Sequence, residues 1–134
     1  MTSRRTMAAA VGLLALNAAA PAWADAKPAD AAKARNACFW TRNADGFAAV
    51  DEHTLNVRVG VRDVFQFEMF GSCQGMDWSN QIGLVSRSGD QICAGMDAEV
   101  ITHSPGSGRQ RCMVRSVRKL TAEEVAALPK RAKP

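Results

Sequence analysis

The chain has 134 residues, of which 47% are hydrophobic and 22% charged, and its formal net charge is +4. This length suits one small domain, which buries a smaller share of its surface than a large domain and gains from cross-links. Two of the 17 Lys and Arg residues precede residue 25 and all 13 acidic residues lie within residues 25–134, so residues 25–134 carry only +2. So small an excess does not favour binding to nucleic acid, and we expect no such partner.

The first 24 residues have the order of features that defines a secretory signal peptide. Arg4 and Arg5 form a short basic region, residues 7–20 are apolar except for Gly12 and Asn17, and Ala22 and Ala24 are the small residues that signal peptidase reads. We expect cleavage after Ala24, no membrane span in the mature protein, and a periplasmic or secreted location. The paired arginines leave two export routes open, of which the general secretory route suits cysteines that need oxidation.

The region after the signal peptide predicts a short leader followed by a β domain. Residues 25–36 have no large apolar side chain and predict a flexible leader. From residue 37 onward apolar and polar residues alternate, as Leu55, Val57 and Val59 do with Asn56 and Arg58, which is typical of half-buried strands. After a first strand at the domain start, strands are predicted at residues 47–50, 55–61, 64–70, 82–86, 91–94, 99–102 and 111–120.

These strands predict an all-β fold, either a small antiparallel barrel or a sandwich of about seven or eight short strands. Thr121 and Glu124 have the spacing of a capping box, which predicts a short C-terminal helix that ends near Leu128, before Pro129. We therefore expect the β domain to span residues 37–128 and a basic tail to occupy residues 129–134.

The four cysteines predict a disulfide framework. They are Cys38, Cys73, Cys93 and Cys112, and two of them open similar pentapeptides, CQGMD at residue 73 and CAGMD at residue 93. An even number of cysteines in a small exported domain favours disulfides, and no C-x-x-C pair is present for thiol exchange or zinc. A closed barrel would bring the first and last strands together, so of the three connectivities we expect Cys73–Cys93 and Cys38–Cys112. In each pentapeptide we expect the glycine to let the chain turn.

Several motifs point in combination to a protein family. Cys38 precedes a Gly-Phe strand, residues 50–55 read VDEHTL, Cys73 is followed by Gly75, Met76 and Trp78, and residues 111–118 read RCMVRSVR. Together they resemble a domain-of-unknown-function family of small exported bacterial proteins with four cysteines. The resemblance covers about residues 36–120; it implies the limits of the domain and the number of cysteines, and it implies no activity.

Two alternative functions depend on side chains outside the disulfides. A copper protein would use soft or borderline ligands, for which the candidates are His53, His103, Met76, Met96 and Met113. No M-x-M or H-x-M pair occurs, and methionine in a small core usually fills gaps. The sequence has no G-x-S-x-G motif and no phosphate-binding glycine loop. We predict no cofactor and no catalytic residue; a metal or thiol-redox protein is the second possibility, and an enzyme with an unrecognised site is the third.

A cationic patch is the binding site that the sequence suggests. Arg58 and Arg62 share the polar face of one predicted strand, and Arg111 and Arg115 share that of another. If these strands are neighbours, the four arginines would form a patch that binds an anionic envelope component or an acidic protein. Ordinary solvated arginines are the alternative. The sequence therefore predicts a non-catalytic binding or structural module of the periplasm.

Overall fold

The computed structural model describes residues 37–134 apart from 96, 97, 105 and 107, so the predicted signal peptide and leader lie outside the described residues. In chain order the strands are β1 Cys38–Trp40, β2 Ala44–Ala49, β3 Thr54–Val59, β4 Asp63–Met69, β5 Gly83–Ser86, β6 Gln91–Cys93, β7 Ala98–Ser104 and β8 Gly108–Lys119. One α-helix, α1, spans Ala122–Ala127, and short 3₁₀ turns occupy Thr41–Asn43 and Lys130–Ala132. The predicted all-β class and the C-terminal helix are confirmed.

The strands form one large sheet and one small sheet. Six strands make a curled antiparallel half-barrel in the order β2-β3-β4-β8-β7-β5, whose edge strands are β2 and β5. β1 and β6 pair separately as a two-stranded sheet. Hydrogen bonds between Gly95 and Val117, of 3.1 and 2.7 Å, join the segment after β6 to β8. The half-barrel is therefore covered on one side by the small sheet.

The core lies between the concave face of the half-barrel and the small sheet. Phe65 and Phe67 of β4 are almost fully buried, and the ring of Phe39 on β1 lies 4.6 Å from that of Phe65. Fully burying a side chain of this kind stabilises the fold by about 1.5–3 kcal/mol. The period-two pattern arises because each strand turns one set of side chains into this core, including Leu55 of β3 and Val114 of β8.

The disulfides connect Cys38 to Cys93 and Cys73 to Cys112, so the predicted pairing is wrong. That prediction assumed that the first and last strands of a closed barrel are neighbours. Instead β1 pairs with β6, where Cys38 lies directly opposite Cys93 at a Cα–Cα distance of 3.9 Å. β8 lies between β4 and β7, so Cys112 meets Cys73, which follows β4, at a Cα–Cα distance of 5.7 Å.

Each of the two similar pentapeptides therefore supplies one cysteine to a different disulfide. Gly75 and Gly95 have φ values of 78° and 128°, so both glycines do turn the chain next to a cysteine, as predicted. Met76 is fully buried beside the Cys73–Cys112 disulfide region in the core.

The C-terminal residues pack against the half-barrel. Thr121 and Glu124 form the predicted capping box, in which each side chain accepts a hydrogen bond from the backbone N–H of the other residue. Farther on, the carbonyl oxygen of Ala132 accepts a hydrogen bond of 2.8 Å from Asn56 Nδ2, and Ala132 is fully buried. Ala132, which lies in the segment 129–134 that the sequence predicts to be a basic tail, thus covers part of the outer face of β3.

Candidate functional site

The outer face of β8 presents a row of exposed side chains. Cys112 and Val114 point into the core, so the alternate residues point outward. The outward residues between positions 109 and 115 are all exposed, namely Arg109, Arg111, Met113 and Arg115. The sequence correctly placed Arg111 and Arg115 on one face, because strand periodicity determines the direction of each side chain.

Two apolar side chains lie at the centre of this outer surface. The backbone N–H of Phe70 donates a 3.0 Å hydrogen bond to the carbonyl oxygen of Met113, which places the two residues opposite each other at the end of β4. Phe70 is 62% exposed and Met113 is 40% exposed. An aromatic side chain and a methionine are thus in contact with solvent in the middle of a row of arginines.

The β5–β6 turn brings a further arginine to the same surface. Arg87 Nη2 lies 3.4 Å from the sulfur of Met113 and 3.7 Å from Glu99 Oε1. Glu99 also pairs with Arg111 at 3.2 Å, and the Glu99 side chain is only 16% exposed. The Glu99 carboxylate therefore pairs with two guanidinium groups, those of Arg87 and Arg111.

We call this surface the basic face. It consists of Phe70, Met113, Arg87, Arg109, Arg111 and Arg115. Its acidic neighbours are Glu99 and Glu68, of which Glu68 lies 3.9 Å from Arg115 Nη1. Four arginines against two carboxylates leave an excess of two positive charges. Among the described residues, Arg109 has no acidic partner.

The four arginines predicted to form one patch do not form one cluster. β4 separates β3 from β8, and Arg58 is half-buried, with its Nη1 donating to the carbonyl oxygen of Pro134 at 3.2 Å. Arg62 is exposed in the β3–β4 turn, near the end of β4 that pairs with Lys119. Arg111 is eight positions from Lys119 along β8, about 26 Å at the usual rise of a strand. The predicted patch is therefore reduced to Arg111 and Arg115.

Sequence reasoning missed Phe70 and Arg87 for a physical reason. Phe70 ends a predicted strand and Arg87 lies in a predicted turn, and neither position indicates which residues of other strands lie beside it. Their shared surface follows from the order of strands in the sheet, where β4 and β7 flank β8 and β5 follows β7.

The candidate copper ligands are distributed over different parts of the fold. Met76 is fully buried in the core, Met113 belongs to the basic face, and Met96 lies outside the described residues. His53 is in the turn before β3 and His103 is on β7, and both are exposed. In the described part of the chain, no group of three or more His, Cys, Asp or Glu side chains is arranged to hold a metal ion.

The fold and the surface define a small disulfide-linked β half-barrel with a basic outer face. The residues described by the structure include no helix that is long and apolar enough to cross a membrane. The family model described as "Family of unknown function (DUF6491)" matches residues 1–134, so the chain belongs to that family. Comparison with curated proteins gave no match, and comparison with solved structures gave none.

Proposed function

We propose that this protein is an exported, non-catalytic binding module and that its basic face docks on an acidic protein surface. The observation that carries this proposal is the convergence of four arginines around the exposed side chains of Phe70 and Met113. The two disulfides support export, because such bonds persist in oxidising compartments.

The composition of the basic face favours a protein partner over an anionic polymer. Protein interfaces have an apolar centre and are enriched in aromatic residues, Met and Arg. The residues that dominate binding energy are often aromatic or Arg and lie near that centre. Phe70 and Met113 supply such a centre, whereas a purely electrostatic contact with a polyanion would not need one.

The charges of the basic face would act on encounter and orientation. Its excess positive charge attracts an acidic surface over a distance of about 10 Å at moderate ionic strength. Arg109 has no acidic partner among the described residues, and Arg115 is 3.9 Å from its own. Both guanidinium groups can therefore approach a partner's carboxylates without first breaking a close ion pair.

A pair of double variants tests this proposal. Arg109→Gln with Arg115→Gln should weaken binding to an acidic partner roughly tenfold, which corresponds to about 1.4 kcal/mol. The melting temperature should change little, because exposed ion pairs contribute at most about 1 kcal/mol. The partner is first captured with a photo-crosslinking amino acid at position 70 and identified by mass spectrometry. The affinity of that partner for each purified variant is then measured at low and at physiological salt.

The matched control is Arg62→Gln with Arg131→Gln, which removes the same charge from exposed positions outside the basic face. This control should bind like the wild type. A crosslinker at Val61, which is 92% exposed on the β3–β4 turn, should not capture the same protein. Equal capture from positions 61 and 70, equal weakening by both double variants, or crosslinking to a polyanion or lipid instead of a protein would each overturn the proposal.

A further inference from the structure

A cleft opens where the half-barrel fails to close. β2 and β5 are the two edges of the six-stranded sheet, and a cavity of about 590 Å³ is lined by residues of both strands. The 3₁₀ turn Thr41–Asn43 and the segment before β5 complete its walls. Ligand sites in proteins commonly have volumes of about 300–1,000 Å³ and are frequent at the mouths of β-barrels. The basic face lies elsewhere, on the outer side of β8.

The floor of this cleft is apolar. Phe47 lies opposite Val57 in the β2–β3 pair, and Leu84 lies opposite the buried Val100 in the β5–β7 pair. These registers direct Phe47 and Leu84 to the concave side of the sheet, where both are half-buried and pack against the core. Ile82 adds a third partly buried apolar side chain to the lining.

The rim of the cleft is polar, and its side chains lack partners. Asp45, Asn80, Gln81 and Asp90 line the cleft and are exposed. Within the described part of the chain, none of these four side chains makes a hydrogen bond or an ion pair. Arg42 also lines the cleft, and its guanidinium lies 4.8 Å from the centre of the Trp40 ring. A cation over an aromatic face is attracted to it, which keeps the Arg42 head group near the rim.

The chemistry of this lining defines the class of ligand. Carboxylates accept hydrogen bonds, the Arg42 guanidinium donates them, and the amides of Asn80 and Gln81 do both. Two carboxylates against one guanidinium give the rim a formal charge of −1, which disfavours an anionic ligand. A saccharide has hydroxyl groups that both donate and accept, and its C–H surface can pack on an apolar floor. We propose that this cleft binds an uncharged, hydroxyl-rich saccharide segment.

Ligand-observed NMR with defined probes tests this inference on the disulfide-bonded protein. In saturation-transfer spectra, neutral oligosaccharides of two to four hexose rings should give a signal from magnetisation transferred by the protein. Sulfated forms of the same compounds should give a saturation-transfer signal at least threefold weaker. Amide shift changes should fall on residues 44–47 and 81–84, and the amides of residues 109–115 should not move.

Asp45→Ala and Asp90→Ala should each reduce the saturation signal at least threefold, because each removes a rim acceptor. Asp77→Ala is the matched control, since Asp77 is exposed and does not line the cleft, and this variant should give the wild-type signal. The inference is overturned if no neutral oligosaccharide receives saturation, if the sulfated forms receive more, or if all three variants behave alike. These outcomes are independent of protein capture by the basic face.

Discussion

Asn56 is a polar side chain that is fully buried although it lies on the outer face of β3. Its Nδ2 donates to the carbonyl oxygen of Ala132 at 2.8 Å, and its Oδ1 accepts a hydrogen bond of 3.1 Å from Gln66 Nε2. A buried polar group is tolerated when it is hydrogen-bonded and is costly when it is not. Asn56 therefore joins the C-terminal segment to two strands of the half-barrel.

Replacing Asn56 by alanine should lower the free energy of unfolding by about 1–3 kcal/mol. The reason is that the carbonyl of Ala132 and the amide of Gln66 each lose a partner. Urea unfolding followed by tryptophan fluorescence measures the change. Asn43→Ala, at an exposed asparagine, should stay within about 0.5 kcal/mol of the wild type. Equal shifts in the two variants would mean that the buried hydrogen bonds contribute nothing specific.

At the scale of the element, α1 is a helix of six residues that depends on its capping box and on β8. Glu124 Oε2 accepts a 2.8 Å hydrogen bond from the Thr121 N–H, and Glu124 Oε1 pairs with Arg118 at 2.8 Å. The pKa of Glu124 is lowered: its partial burial acts to raise the pKa, but the Thr121 N–H and Arg118 together outweigh that effect. The charged form of this carboxylate is therefore the form that holds the helix start against the sheet.

The depressed pKa gives α1 a pH dependence of defined sign. A carboxylate whose pKa is lower in the folded state than in the unfolded state stabilises the folded state at pH values above its unfolded pKa, and the contribution is lost as pH falls through the folded pKa. The Thr121 amide shift, followed by NMR from pH 7 to 2.5, should therefore titrate with a midpoint below 4.5, the ordinary value for Glu124. In Glu124→Gln that transition should disappear, because Gln can keep the cap but does not ionise.

The matched control for this titration is Glu123→Gln, one position earlier on the same helix. Glu123 also has a lowered pKa, caused first by a backbone hydrogen bond and then by the Thr121 side chain. The Thr121 N–H donates to Glu124, so its main transition should persist in the control. A wild-type midpoint at or above 4.5, or a transition that survives in Glu124→Gln, would contradict the role of the Glu124 carboxylate.

At the scale of the whole molecule, the sequence predicts the strands well and their order poorly. Strands are recognisable because each buries one set of alternate side chains, and the capping box is recognisable because it is local. Sheet order is a long-range property: β8 pairs not only with β7, which directly precedes it, but also with β4, from which three other strands separate it in the chain. Periodicity within a strand does not record that second pairing. The errors in cysteine pairing and in the four-arginine patch both follow from that missing order. The burial of Asn56 was missed because it depends on a segment 76 residues away.

Each disulfide lies within one sheet, and neither disulfide joins the small sheet to the half-barrel. Cys38–Cys93 joins β1 to β6 within the small sheet, and Cys73–Cys112 joins the segment after β4 to β8 within the half-barrel. Their cysteines are 55 and 39 residues apart in the chain. Closing loops of this length restricts the unfolded chain, which stabilises the fold by about 4 kcal/mol per disulfide in the loop-entropy description.

Serine variants distinguish this pairing from the one that the sequence suggested. Cys73→Ser with Cys112→Ser removes one disulfide and should lower the free energy of unfolding by about 4 kcal/mol. Cys73→Ser with Cys93→Ser removes one cysteine from each disulfide, so it should destabilise clearly more and leave two free thiols. Both variants are compared by urea unfolding and thiol titration. If the Cys73–Cys93 variant instead lost one disulfide and kept no free thiol, the observed pairing would be wrong.

Export is tested on protein purified from the periplasmic fraction. Because we expect cleavage after Ala24, its intact mass should correspond to a chain that begins at Asp25. A mass that retains Met1 would contradict export.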